Sequence, residues 1–93
     1  MTQLGRVAPG GVRVFFFAAA GDAVGHRRLT VAPQPLGTLL DALRGEYGPA
    51  LGAVLDAARV WVNGEDPLDG DATVLQAGDE VAVVPPVSGG ALP

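Results

Sequence analysis

Cysteine and lysine are both missing from this chain of 93 residues, and serine and histidine each occur once, as Ser88 and His26. Each scarcity removes a chemistry. Without cysteine there are no disulfides, no thiolate zinc ligands and no thiol nucleophile. Without lysine there is no Schiff-base catalysis, and no lysine-linked chain can be built on the protein itself. A lone His26 assembles no imidazole metal site, and Ser88 as the sole serine leaves a Ser-His-acid triad nowhere to form. The inventory therefore predicts no side-chain catalytic site of the protein's own and no bound cofactor. If the chain takes part in covalent chemistry, a backbone terminus is the best remaining reacting group.

Apolar runs fall far short of the ~20 residues a membrane helix needs, so no membrane association is expected. The opening "MTQLGRVAPGG" has no apolar core of the signal-peptide kind, which makes a cytoplasmic protein the default. The net charge is −4, and the six basic residues are arginines, scattered apart from Arg27-Arg28. Nucleic-acid binding needs clustered positive charge and is not expected. The apolar share of 48% nevertheless suits a globular chain and argues against wholesale disorder.

The chain reads as one domain. Residues 1–10 form a loose lead-in, 11–86 the folded body, and 87–93 a flexible tail. "GVRVFFFAAA" reads as a strand with Val12, Val14 and Phe16 on one face and Arg13, Phe15 and Phe17 on the other. "GDAVG" is a turn or short helical loop, and "HRRLTVAP" a second strand that pairs with the first as a hairpin. Leu36, Leu39, Leu40, Leu43 and Tyr47 recur at helical spacing, and Thr38 with Asp41 resembles a capping box. Gly48-Pro49 ends that helix, and Pro49 opens a second short one carrying Leu51, Val54, Leu55 and Ala58. "RVWVNGE" is a strand entering an Asn-Gly turn. A turn-rich stretch follows, with one short strand around Thr73–Leu75. "EVAVVP" is the last strand, stopped by Pro85 and Pro86, which cannot donate to a sheet ladder.

This order predicts an α+β fold: a mixed sheet packed on one side by the main helix, with the first and last strands parallel at its centre. The β-grasp, or ubiquitin-like roll, satisfies it. Order alone leaves ferredoxin-like folds open. In the roll, the C-terminal segment leaves the central strand and projects. Pro85-Pro86 holds its base extended, and Gly89-Gly90, lacking β-carbons, is slender enough for a narrow channel. From Pro85 to Gly90 the reach is about 20 Å at ~3.3 Å per residue.

"RVFFFA" (13–18), "VNGE" (62–65) and "GDEVAVVPPVSGG" (78–90), with the helix between, resemble the MoaD/ThiS family of sulfur carriers, and within it the small subunits of molybdopterin synthase. The resemblance covers roughly residues 11–90. It implies a β-grasp fold and activation of Gly90 by an E1-like adenylyltransferase that uses ATP. It implies conversion of Gly90 to a thiocarboxylate and insertion of the Gly89-Gly90 tail into a synthase large subunit, or into another sulfur-accepting enzyme. The partner would supply the catalytic side chains. The resemblance also marks Phe17 and Val84 as apolar surface offered to partners. Phe15, on the same face, and Pro85, Pro86, Val87 and Ser88, along the tail, complete the expected contact set.

Three features depart from the family pattern. An arginine common after the first strand is replaced by Gly21, the lead-in is longer, and Gly90 is followed by Ala91-Leu92-Pro93. As written, the Gly90 carbonyl is locked in a peptide bond and cannot be adenylated. A processing protease, nonspecific trimming, or a non-activated ubiquitin-like binding module each account for this. A processed tail also opens other pathways: cysteine, thiamine-like or natural-product sulfur transfer. The remaining polar residues read as structure or surface. His26 with Arg27 and Arg28 fits a solvated strand edge, and Trp61 fits core or edge packing. Glu65, Asp66, Asp69 and Asp71 lack the spacing of a calcium loop, although such a surface steers docking toward a basic partner.

Overall fold

A computed structural model describes residues 10–86. The lead-in before Gly10 and the tail from Val87 onward, including Ser88, Gly89 and Gly90, lie outside the described residues. Five elements plus one short turn of helix precede the last strand: β1 Val12–Phe16, α1 Ala19–Val24, β2 Arg28–Val31, α2 Leu36–Ala57, β3 Arg59–Val62, a 3-10 turn Gly70–Ala72, and β4 Glu80–Val84. The sheet order is β2-β1-β4-β3. β1 and β4 run parallel at the centre, Val14 opposite Val81 and Phe16 opposite Val83. β2 pairs antiparallel with β1, and β3 antiparallel with β4. This is the expected mixed sheet with one main helix.

Alternation along β1 works as its composition predicts. Val12, Val14 and Phe16 are buried, Arg13 is exposed and Phe15 half-buried. Val81 and Val83 of β4 join them, and α2 closes the core from above with Leu36, Leu39, Leu43, Leu51 and Leu55. Burying each such side chain contributes about 1.5–3 kcal/mol. No polar or charged residue is buried among the described residues, so the core carries no polar desolvation penalty.

α2 is two helices merged across a kink. Gly48 adopts φ 77°, ψ −163° between Leu43 on one segment and Leu51 on the other. That conformation suits glycine, and Pro49 restarts the helix with a preset φ. The predicted break at Gly48-Pro49 is therefore present, and both segments lie over the sheet. Arg44 bridges the bend, its guanidinium 2.9 Å from Asp56 and 3.2 Å from the Gly52 carbonyl.

Two expectations need correction. The Thr38/Asp41 capping box does not form. The helix begins at Leu36, with Pro35 in the cap position and no side-chain cap. Its first N–H is satisfied by a loop carbonyl instead, Leu36 N–H donating to Thr73 O at 2.8 Å. Leu75 N–H returns the contact to Gln34 O at 2.9 Å. The Thr73–Leu75 strand reduces to one antiparallel bridge, Pro35 with Val74, because the stretch serves the helix start rather than a sheet edge. "GDAVG" lies largely within α1, whose C-cap Gly25 takes the left-handed conformation at φ 84°.

Candidate functional site

The face of the sheet not covered by α2 is open. Its central row runs across all four strands: Arg28 pairs with Phe15, Phe15 with Ala82, and Ala82 with Trp61. Strand alternation sets this row, because the inward neighbours Leu29, Val60 and Val62 pack against the core. The small Ala82 stands between Phe15 and Trp61 in this row. Trp61, on the edge strand β3, is 36% exposed.

One step toward the tail lies a second row. Phe17 follows the end of β1, and its N–H donates to Val83 O at 3.1 Å. Its side chain is 50% exposed. Val84 is half-buried beside it and pairs with Arg59 of β3. Pro85 is half-buried and Pro86 exposed as the chain leaves the sheet. The structure thus brings Phe15, Phe17, Val84 and the base of the tail onto one surface. Immediately after Phe17 the chain turns through Ala18, whose φ of 49° is rare for a residue with a β-carbon.

A third row, at the other end, holds Arg13 and Glu80 paired at 2.6 Å, both about half exposed. An exposed pair of this kind contributes ~0.2–1 kcal/mol. Below it, Asn63 and Gly64 form the predicted positive-φ turn, with φ 54° and 83°. Asn63 also ties that turn to β4: its Nδ2 donates to Asp79 at 3.2 Å and its Oδ1 accepts the Glu80 N–H at 2.9 Å. The acidic residues Glu65, Asp66, Asp69 and Asp71 are exposed around this end, away from the strand end where Val84 hands over to the tail.

Gly21 sits within α1. A β-carbon there would stand 3.1 Å from the Phe16 carbonyl oxygen, so a side chain at this position needs a shift of a few tenths of an ångström. Gly21 lines an open groove of about 440 Å³ with Ala18, Asp22, His26 and Arg27. No group of three or more metal-ligating side chains occurs among the described residues. No described helix is long and apolar enough to cross a membrane. Composition did not single out Arg59, nor Arg28 as part of a face. The period-2 pattern could have done so, since it places Arg59 with Trp61 and Arg28 with Thr30 on the open side.

Three comparisons place the chain among known proteins. Residues 14–90 match the family model described as the ThiS family. The chain is 39% identical over 84 residues to the molybdopterin synthase sulfur carrier subunit of Phaeosphaeria nodorum, covering 83% of this chain and 88% of that one. It is 40% identical over 85 residues to small archaeal modifier protein 1 of Haloferax volcanii, covering 80% and 94%. The crystal structure of that modifier superposes with a TM-score of 0.71 at 34% identity, over 86% of this chain and 99% of the other. The open-faced β-grasp sheet, the helix across its other side and the match through Gly90 together have one meaning: the chain belongs to the ThiS family, the MoaD/ThiS-like group of ubiquitin-like sulfur carriers.

Proposed function

We propose that this chain carries sulfur as a thiocarboxylate on Gly90, and that its sulfur goes to a pterin precursor in molybdenum-cofactor synthesis. The observation that carries this reading is where the family match stops: at Gly90, the second glycine, with Ala91 beyond it.

The chemistry follows from a carboxylate with no side chain to help it. Hydrolysis of the Gly90–Ala91 amide consumes a water and releases the residues beyond as a peptide, leaving a Gly90 carboxylate. An E1-like adenylyltransferase joins that carboxylate to the α-phosphate of ATP and releases pyrophosphate. The acyl adenylate is electrophilic, so hydrosulfide displaces AMP and leaves the thiocarboxylate. The thiocarboxylate sulfur then bonds to the acceptor in the large subunit of the synthase, displacing an oxygen leaving group, and water cleaves the acyl–sulfur bond, leaving the sulfur on the acceptor and a carboxylate on Gly90 for another cycle. The chain's own contribution is delivery. Phe15, Phe17 and Val84 offer an apolar docking surface, and Pro85-Pro86 starts an extended arm at its border. In this reading a narrow channel of the partner receives Val87, Ser88 and the Gly89-Gly90 pair.

The synthase-subunit relatives support the pterin destination. The modifier relative favours a second reading of the same terminus, in which an amine of a target protein, rather than sulfur, displaces AMP. Both readings share the activated Gly90. Purified chain ending at Gly90, incubated with ATP and the adenylyltransferase of its own organism, is expected to support ATP–pyrophosphate exchange, whereas chain ending at Pro93 is not. Addition of a sulfur donor and the large subunit should then convert precursor. Absence of exchange with the Gly90-ended chain would overturn the proposal, and exchange followed only by amide formation on proteins would select the modifier reading.

A further inference from the structure

The charge of this protein is sorted by position. In a chain of net charge −4, the open face carries three arginines, Arg13, Arg28 and Arg59, against one carboxylate, Glu80. Arg13 is neutralised by Glu80 at 2.6 Å. Arg28 and Arg59 make no ion pair among the described residues, and both are exposed. They stand on the two edge strands. Arg28 ends the Phe15–Ala82–Trp61 row, and Arg59 pairs with Val84 at the base of the tail. The carboxylates of the 65–79 loop crowd the other end of the sheet.

We propose that Arg28 and Arg59, with Phe15, Ala82 and Trp61 between them, form the docking face for a protein whose matching surface is an apolar ridge flanked by carboxylates, and that this surface borders the channel receiving the tail. The proposal rests on the sulfur-carrier reading above and adds the chemistry of the partner. The aromatics bury apolar area. The arginines select a partner bearing opposite charge and raise the encounter rate with it. The acidic loop end repels that same partner, so the body approaches with its tail foremost. Aromatic and arginine side chains on a sheet also suit single-stranded nucleic acid, but two unpaired cations beside an acidic pole make a weak phosphate track.

The test uses chain ending at Gly90, the adenylyltransferase of its own organism, and ATP–pyrophosphate exchange at low and high ionic strength. The Arg28→Gln/Arg59→Gln variant lowers the net charge by two. Ala42→Glu/Ala53→Glu, at exposed positions on α2 away from both this face and the acidic loop, lowers it equally and serves as the control. Thermal melting confirms that each variant folds. The expected result is that kcat/KM falls about tenfold for the arginine variant at low ionic strength, the lower end for steered association. It should converge on the parent at high ionic strength, with the control close to the parent throughout. Trp61→Ser should lose a similar factor at both ionic strengths. Equal behaviour of the arginine variant and the control would overturn the docking face while leaving the carrier reading intact, because the parent is adenylated. A parent that supports no exchange would end the carrier reading and this inference with it. Competitive inhibition by a single-stranded oligouridylate would reassign the face to nucleic acid.

Discussion

Phe17 and Val84 lie side by side at the end of the parallel strand pair, fixed there by the hydrogen bond from Phe17 N–H to Val83 O at 3.1 Å. Phe16 is the last residue of β1 and packs inward, 3% exposed; Phe17 is the next residue and 50% exposed. One residue thus separates a core anchor from an apolar contact at the root of the tail.

The Phe17→Ser variant separates docking from folding. A half-exposed side chain contributes little to the core, so the folding free energy should change by no more than about 0.5 kcal/mol. Affinity for the adenylyltransferase or the synthase large subunit should fall about tenfold or more, the cost of losing an apolar anchor. Calorimetric titration beside a denaturation curve measures both. Equal affinity would return Phe17 to ordinary sheet packing.

Ala18 is strained. Its φ of 49° and ψ of −126° lie outside the regions L-residues favour. Ala18→Gly removes the clash of the β-carbon, worth ~1–3 kcal/mol, and gives back ~0.5–1 kcal/mol in chain entropy. The variant should therefore be more stable by about 1 kcal/mol, a rise in the thermal midpoint of roughly 5 °C. A fall in the midpoint would contradict this account of the turn.

Asn63 secures the end of the sheet remote from the tail. Asn63→Ala loses two side-chain hydrogen bonds, to Asp79 and to the Glu80 N–H, and keeps a positive φ with a residue that disfavours it. The expected loss is about 2 kcal/mol. Adenylation of the Gly90-ended form below its melting temperature should be unchanged. A selective loss of adenylation would place Asn63 in partner recognition instead.

Much of this architecture was legible because two periods dominate it. Alternation in "VRVFF" and helical spacing in Leu36, Leu39 and Leu43 respond to the same core, so both faces of β1 and the inner stripe of α2 followed from composition. Gly48-Pro49 announced its break because few other pairs carry both a free φ and a fixed one. The start of α2 was less readable. Thr38 fits a local cap, but the carbonyl of Thr73, distant in sequence, satisfies the helix end. Such a contact has no local signature. The site divides similarly. The outward placement of Phe17 and Val84 followed from alternation. The meaning of Arg28 and Arg59 did not, because it comes from standing on opposite edges of one sheet, with Arg13 already paired.

The glycine pair sets a further expectation. Gly90→Ala, in chain ending at residue 90, should fold as the parent does and transfer sulfur on the order of a hundredfold more slowly, since a small displacement at a reacting centre costs about that much. Thiocarboxylate formation followed by mass spectrometry, with precursor conversion as the second readout, measures it. Unchanged transfer would remove the case for a narrow channel around Gly89-Gly90.

The central claim is tested most directly by the intact mass of the protein isolated from its own cells under growth that demands sulfur transfer. The account predicts a species ending at Gly90, part of it with one carboxylate oxygen replaced by sulfur. A population that ends wholly beyond Gly90, with no sulfur-bearing form, would contradict it.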